Sequence, residues 1–305
     1  MNNFRNMGNS QEKKNLKITQ SFQEIFIKAV KSHSAGNISE AIMHYNYLLN
    51  NGFNDPRVFA NYGNILKDLG RLQDAELAYR KAIKLKPDFF EVYFFLGTVF
   101  KDLGKLKDAE LFYRRGIKLK PDLAEAHSNY ATILRDLDKL KEAELSYRKA
   151  IELKPDFAHL HYNLGETLKD LGKLKDAELS YGKAITIKPN FSKAYFSLSK
   201  LNYSKEDLKW EIYLFSKEIL KNQTKIDKVD IYFARANIFH RKKNYAKSAQ
   251  NLDLANNLKL EIYSSKADSL IKQSKNLLVE SEKKKLKQKE NGKYPESIFI
   301  VGMPR

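Results

Sequence analysis

Residues 56–191 repeat themselves at a period of 34, and no other feature of the sequence narrows its fold so far. At that offset small residues recur at Gly63, Gly97, Ala131 and Gly165, and alanine at Ala75, Ala109, Ala143 and Ala177. Tyrosine recurs at Tyr79, Tyr113, Tyr147 and Tyr181, small residues at Ala82, Gly116, Ala150 and Ala184, and proline at Pro87, Pro121, Pro155 and Pro189. Several independent position rules kept through four units exclude chance. A period of this length means one supersecondary unit per repeat, each covering the apolar face of the next.

Each rule has a mechanical reason. The first half of a unit, as in VFANYGNILKDLG, has the spacing of one amphipathic helix of about three turns. Gly70, Gly104 and Gly172 end it, because a helix C-terminus needs a left-handed residue, and Asp138 fills that slot once. The second half, LQDAELAYRKAIKLK, is again helical in period. Pro87 and its equivalents stop it, lacking a donor and disfavouring helix in the preceding residue. Asp88 and Asp122 stand three residues before Glu91 and Glu125, a spacing that predicts a capping box for the next helix.

These residues resemble the tetratricopeptide repeat: Phe59, Tyr62, Gly63, Leu66, Ala75, Tyr79, Ala82 and Pro87 follow its consensus within one unit. The resemblance implies an all-α, right-handed superhelix of helix-turn-helix repeats. Four regular units fall at 56–89, 90–123, 124–157 and 158–191. A divergent unit at 22–55 precedes them, after a polar tail at 1–21. Degenerate repeat-like helices are expected over 192–263, a basic helix or linker over 264–296, and a separate short stretch over 297–305.

In that family the first helix of each hairpin lines a concave groove that takes protein or peptide partners. Here Asn61, Asn129 and Asn163 share one position of that helix, with Phe95 interrupting the series. An amide both donates and accepts, so stacked asparagines suit an extended peptide backbone. The series looks like the asparagine ladder of O-GlcNAc transferase superhelices. Lys67, Lys101, Arg135 and Lys169 share a second position, with Asp68, Asp102, Asp136 and Asp170 beside them. A solvated helix end copied by duplication explains the charged series equally well.

Composition limits the chemistry. There is no cysteine among 305 residues, which excludes thiolate metal sites, disulfides and cysteine nucleophiles and fits a reducing compartment. The first twenty residues are polar, and no run approaches the ~18 apolar residues of a membrane span, so a cytoplasmic protein without membrane contact is expected. The formal charge is +18, but residues 56–191 hold 25 basic and 20 acidic side chains, so most of the excess lies in the flanks. Those flanking lysines, such as Lys283, Lys284 and Lys285, have no interleaved aromatics, which points away from nucleic acid. His159 and His161 are two apart and would face different ways on a helix. His127 and His161 occupy a repeat slot for a half-buried ring, so packing rather than metal binding is expected of them. No catalytic motif and no metal set is legible in residues 1–290.

The last residues, YPESIFIVGMPR, break the pattern. Ile298, Phe299, Ile300 and Val301 form an apolar run of the kind that makes a buried strand. Gly302, Pro304 and Arg305 are similar to the opening of a sulfotransferase domain, where a strand ending Gly-x-Pro-Arg leads into a loop around the 5′-phosphosulfate. The resemblance implies a truncated α/β domain whose co-substrate would be 3′-phosphoadenosine 5′-phosphosulfate (PAPS), with this chain as the repeat array that holds a protein acceptor or partner. Half of such a loop binds no nucleotide, so the chain itself is expected to bind and not to catalyse. A stand-alone adaptor and an O-GlcNAc-transferase-like array are the alternatives.

Overall fold

The structure, a computed structural model, describes residues 20–201 and 209–263, and all regular structure among them is helical. The described residues divide into two compact units, one ending at Ile187 and the other beginning at Lys188. The stretches expected as a basic linker and a sulfotransferase start, with Gly302, Pro304 and Arg305, lie outside the described residues.

The first unit is a series of five antiparallel hairpins. Helix α1 (20–34) pairs with α2 (Ile38–Asn50), α3 (Pro56–Asp68) with α4 (Leu72–Leu85), and α5 (Phe90–Asp102) with α6 (Leu106–Leu119). Then α7 (Ala124–Asp136) pairs with α8 (Leu140–Leu153), and α9 (Ala158–Asp170) with α10 (Leu174–Ile187). Each second helix also packs on the first helix of the following hairpin, as α4 does on α5. Helix α1 belongs to the same array through Phe26 and Ala29, which pack with Ala41, Tyr45 and Leu48 of α2 and with Val58 and Ile65 of α3.

The turns follow from backbone geometry. Gly70, Gly104 and Gly172 have φ of 74°, 72° and 73°, and Asp138 takes the same slot at 59°. In each, the residue after the left-handed one donates back to a carbonyl five residues earlier: Arg71 to Leu66, Lys105 to Phe100, Lys139 to Leu134 and Lys173 to Leu168, all at 2.8 Å. That bond satisfies a carbonyl the helix end would otherwise orphan. The predicted capping boxes do not form. Helix α5 starts after Phe89 and α7 after Leu123, with no side-chain cap at either, which leaves Asp88 and Asp122 one residue too early to reach the helix amides. Asp122 turns to Lys120 instead. In the first unit Asp55 does cap, accepting the Arg57 amide at 2.8 Å ahead of Pro56 at the first helical position.

The repeated tyrosine closes each hairpin. Tyr79, Tyr113, Tyr147 and Tyr181 are buried, and the rings of Tyr79, Tyr113 and Tyr181 lie on the glycine of the facing helix. A Cβ on Gly63 would come within 2.7 Å of the Tyr79 ring, one on Gly97 within 2.5 Å of Tyr113, and one on Gly165 within 2.6 Å of Tyr181. One compensation is visible between repeats. Phe94 stands where Ala60 and Ser128 stand in the neighbouring units, and Gly116 replaces the usual alanine opposite it, so that the larger ring fits.

The second unit contains α11 (Ser192–Lys200), α12 (Lys209–Phe215), a short 3₁₀ turn (Glu218–Leu220), α13 (Lys225–Arg241) and α14 (245–263). Side chains of α13 tie it together. Arg235 donates to the Leu214 and Ser216 carbonyls at 2.8 and 2.9 Å, and Arg241 donates to the Ser199 carbonyl at 2.7 Å. The Thr224 hydroxyl caps α13 by accepting the Asp227 amide. Trp210 packs on Tyr195 with ring centroids 6.1 Å apart.

Because the tyrosine rings leave no room for branching, Gly97→Val should cost about 1–3 kcal/mol in urea unfolding, the range for overpacking a filled core. Ala131 already carries a Cβ opposite Tyr147, so Gly97→Ala should cost distinctly less in the same measurement.

Candidate functional site

Helices α3, α5, α7 and α9 present the repeated polar positions, and their geometry begins at the tyrosine. Each tyrosine hydroxyl must be satisfied once its ring is buried, because an unpaired buried hydroxyl costs about 1–3 kcal/mol. Tyr79 donates to Asn64 Oδ1 at 2.6 Å, Tyr113 and Thr98 bond at 2.8 Å, Tyr147 and Thr132 at 2.9 Å, and Tyr181 donates to Glu166. The partner is always fifteen residues upstream, on the first helix of the same hairpin. The sequence carried a signal for these residues: positions 64, 98, 132 and 166 all bear a hydrogen-bonding side chain while changing type. Burial raises the pKa of Tyr79, Tyr113 and Tyr147 above the ordinary value of 10.0. The Asp68 charge pushes Tyr79 further up, whereas the bonds from Thr98 and Thr132 partly offset the rise in the other two.

The asparagine series adjoins these hydroxyls from the next hairpin. Asn129 lies beside Tyr113, where it partly offsets the raised pKa, and is exposed to solvent. Asn61 stands in the same relation to Tyr45, whose hydroxyl is buried without a bond of ordinary geometry. Where the series is interrupted, the Phe95 ring packs on Tyr79 with centroids 5.6 Å apart. Asn163 is half-buried at the equivalent place on α9.

The charged series lies six residues, about one and two-thirds turns, further along each helix. Arg135 reaches Asp170 of the next hairpin at 3.6 Å, Lys67 pairs with Asp68 at 3.3 Å, and Lys169 with Glu166 at 2.7 Å. Lys101 is exposed. The acidic members thus neutralise part of the basic ones, within a helix and across one boundary. Separate ion pairs bind consecutive hairpins elsewhere, with Lys139 on Glu110 at 2.7 Å and Lys173 on Glu144 at 2.6 Å.

The histidines serve packing. His127 Nε2 is 2.8 Å from the Pro121 carbonyl and His161 Nε2 is 2.7 Å from that of Pro155, and Tyr93 donates to Pro87 at 2.9 Å from the same repeat slot. These rings therefore donate to the carbonyl of the proline that ended the previous helix. His159 is exposed and its ring lies tilted against Phe157, centroids 5.7 Å apart. Among the described residues no group of three metal-ligating side chains converges, and no helix is long and apolar enough to cross a membrane.

Comparison with known proteins agrees with the repeat. Residues 63–104 and 131–172 match a model described as TPR repeat, and residues 90–123 and 158–191 match one described as tetratricopeptide repeat. Among solved structures, one titled MamA 41-end from Desulfovibrio magneticus RS-1 is 20% identical, with a TM-score of 0.53 over 56% of this chain and 96% of that one. The MamA RS-1 ArsTM double mutant is 21% identical, with a TM-score of 0.53 over 55% of this chain and 94% of that one. At these identities the likeness shows the fold. No curated protein matches the chain. Residues 63–123 and 131–191 thus match tetratricopeptide repeats.

The raised tyrosine pKa values set a pH limit. The folded state holds these protons more tightly than the unfolded chain, so the stability they confer is complete below pH 10 and is lost as pH rises through the folded-state values. Unfolding free energy measured in urea should fall above pH 10, and tyrosinate absorbance of the buried rings should appear together with unfolding.

Proposed function

We propose that the tetratricopeptide repeats of this chain form a protein-interaction scaffold in which a peptide lies along the face made by α3, α5, α7 and α9. The observation that supports this most directly is the set of amides at Asn61, Asn129 and Asn163, at one position in three of the four regular hairpins and open to solvent at Asn129. Amides in such a row hold backbone without reading side chains. Lys67, Lys101, Arg135 and Lys169, six residues further along each helix, favour acidic side chains in the partner, tempered by the neighbouring aspartates. A right-handed superhelical course of the hairpins would make this face the inner one. A reducing cytoplasmic setting suits a chain without cysteine.

Service to a sulfotransferase is the finer form of the proposal, with PAPS as that enzyme's co-substrate and the bound peptide as acceptor or partner. It rests on the sequence around Gly302, Pro304 and Arg305 alone, and the family matches lie within residues 63–191. The coarser scaffold role stands without it.

Selection from a displayed peptide library, followed by fluorescence anisotropy on the selected peptides, tests the scaffold role. The Asn129→Ala/Asn163→Ala double variant should bind at least tenfold more weakly, about 1.4 kcal/mol, with thermal stability close to that of the parent. Lys101→Ala should chiefly lower the salt dependence. Selected peptides whose affinity ignores all three residues would place binding elsewhere.

A further inference from the structure

The outer positions of the second helices form three parallel lanes. Met43, Leu77, Leu111, Leu145 and Leu179 share one repeat position on α2, α4, α6, α8 and α10. Leu77, Leu145 and Leu179 are 67%, 68% and 73% exposed, Met43 is 59% exposed and Leu111 is half-buried. An apolar side chain left this open is ordinary once, but its recurrence at one repeat position through five hairpins is not. The divergent first hairpin keeps its apolar member although it has lost much else of the pattern.

Charge flanks that lane with a fixed polarity. Three residues before it every helix has a carboxylate, at Glu40, Asp74, Asp108, Glu142 and Asp176. Four residues after it the regular hairpins have a cation, at Lys81, Arg115, Lys149 and Lys183. At about 100° per residue, both sets lie on the same side of the apolar lane, about 60° and 40° round the helix, and at opposite ends along its axis.

We propose that this face pairs with the same face of a second copy of the chain. A two-fold axis along the apolar lane reverses the helix direction and keeps the side, so apolar meets apolar and each carboxylate lane meets the partner's cation lane. A two-fold axis across the lane sets like lanes against each other. The opposite flank brings Gln73, Lys107 and Lys141 against Arg80, Arg114 and Arg148. Of these, Arg80 and Arg148 are held by Glu76 and Glu144 at 3.0 and 2.9 Å, which leaves Lys107 opposite Arg114 as the full repulsion. Asp74 and Lys149 hold Arg71 and Glu152 within their own helices, and such exposed pairs exchange at little cost.

The absence of cysteine from the chain makes the test direct. Leu145→Cys and Leu179→Cys in the full chain should each form a disulfide-linked dimer on mild oxidation, at least tenfold faster than Lys101→Cys on the polar face. Mixing Leu77→Cys with Leu179→Cys should yield the two homodimers and no mixed one, because each residue meets its own copy. Sedimentation should show a monomer–dimer equilibrium that Leu145→Glu weakens at least tenfold without lowering thermal stability, the site being exposed. A 77–179 cross-link, rates equal to the Lys101→Cys control, or a monomer at every concentration overturns the proposal.

Discussion

Everything in the first unit depends on seating one tyrosine per hairpin against a residue that has no side chain, or almost none. The ring fills the space between the two helices and fixes how closely they approach. A fully buried aromatic of this size contributes about 2–3 kcal/mol by removal from water, and the series recurs in all four regular hairpins. The small residue opposite follows from the ring, since a Cβ added at Gly63, Gly97 or Gly165 would meet it well inside van der Waals distance. The alanines at 75, 82 and their equivalents follow from the approach that results. Stability is therefore a property of adjoining pairs, which lets the flanking units drift without unravelling the middle.

The hydroxyl on that ring adds a polar requirement that the aromatic contact alone would not. It needs a partner at depth, and the repeat supplies one by three kinds of side chain at a single position: Asn64, Thr98, Thr132 and Glu166. The same hydroxyls approach the asparagines of the next hairpin, so the row offered to a peptide is also in part the end of the internal network. Where Phe95 replaces the amide, a ring contact takes over and the array continues. Holding an array together and offering it to a partner thus draw on the same residues. The exposed Asn129 is the member with most freedom to serve the second purpose.

How much of this is legible in the sequence depends on the range of the interaction. The helix-ending glycines, Asp138 in their place and the stopping prolines act on their own backbone, and the structure has them as the spacing predicts. The packing role of His127 and His161 is legible for the same reason, because their slot also holds Tyr93 and Phe59. The capping boxes fail because a one-residue shift in the helix start moves Asp88 and Asp122 out of reach, and spacing alone does not fix that shift. The tyrosine partners escape because they join residues fifteen apart on two helices, where only the crossing of the pair brings them together.

The charge on this chain shows the same limit more sharply. Counting lysines against carboxylates describes the flanks and says little of the hairpins, where charges are matched by position. Glu110 and Glu144 are answered by Lys139 and Lys173 at a constant offset of 29 residues, across the boundary between hairpins. Arg135 and Asp170 do likewise on the polar face. A repeat that is copied copies its charges too, and two of the copies meet their neighbours at the same offset. Electrostatic order then arises without any one pair being strong, as exposed pairs contribute at most about 1 kcal/mol. What such a surface gains is orientation. Lanes of one sign beside lanes of the other allow some registers between partners and oppose others, which is the way electrostatic complementarity serves association generally.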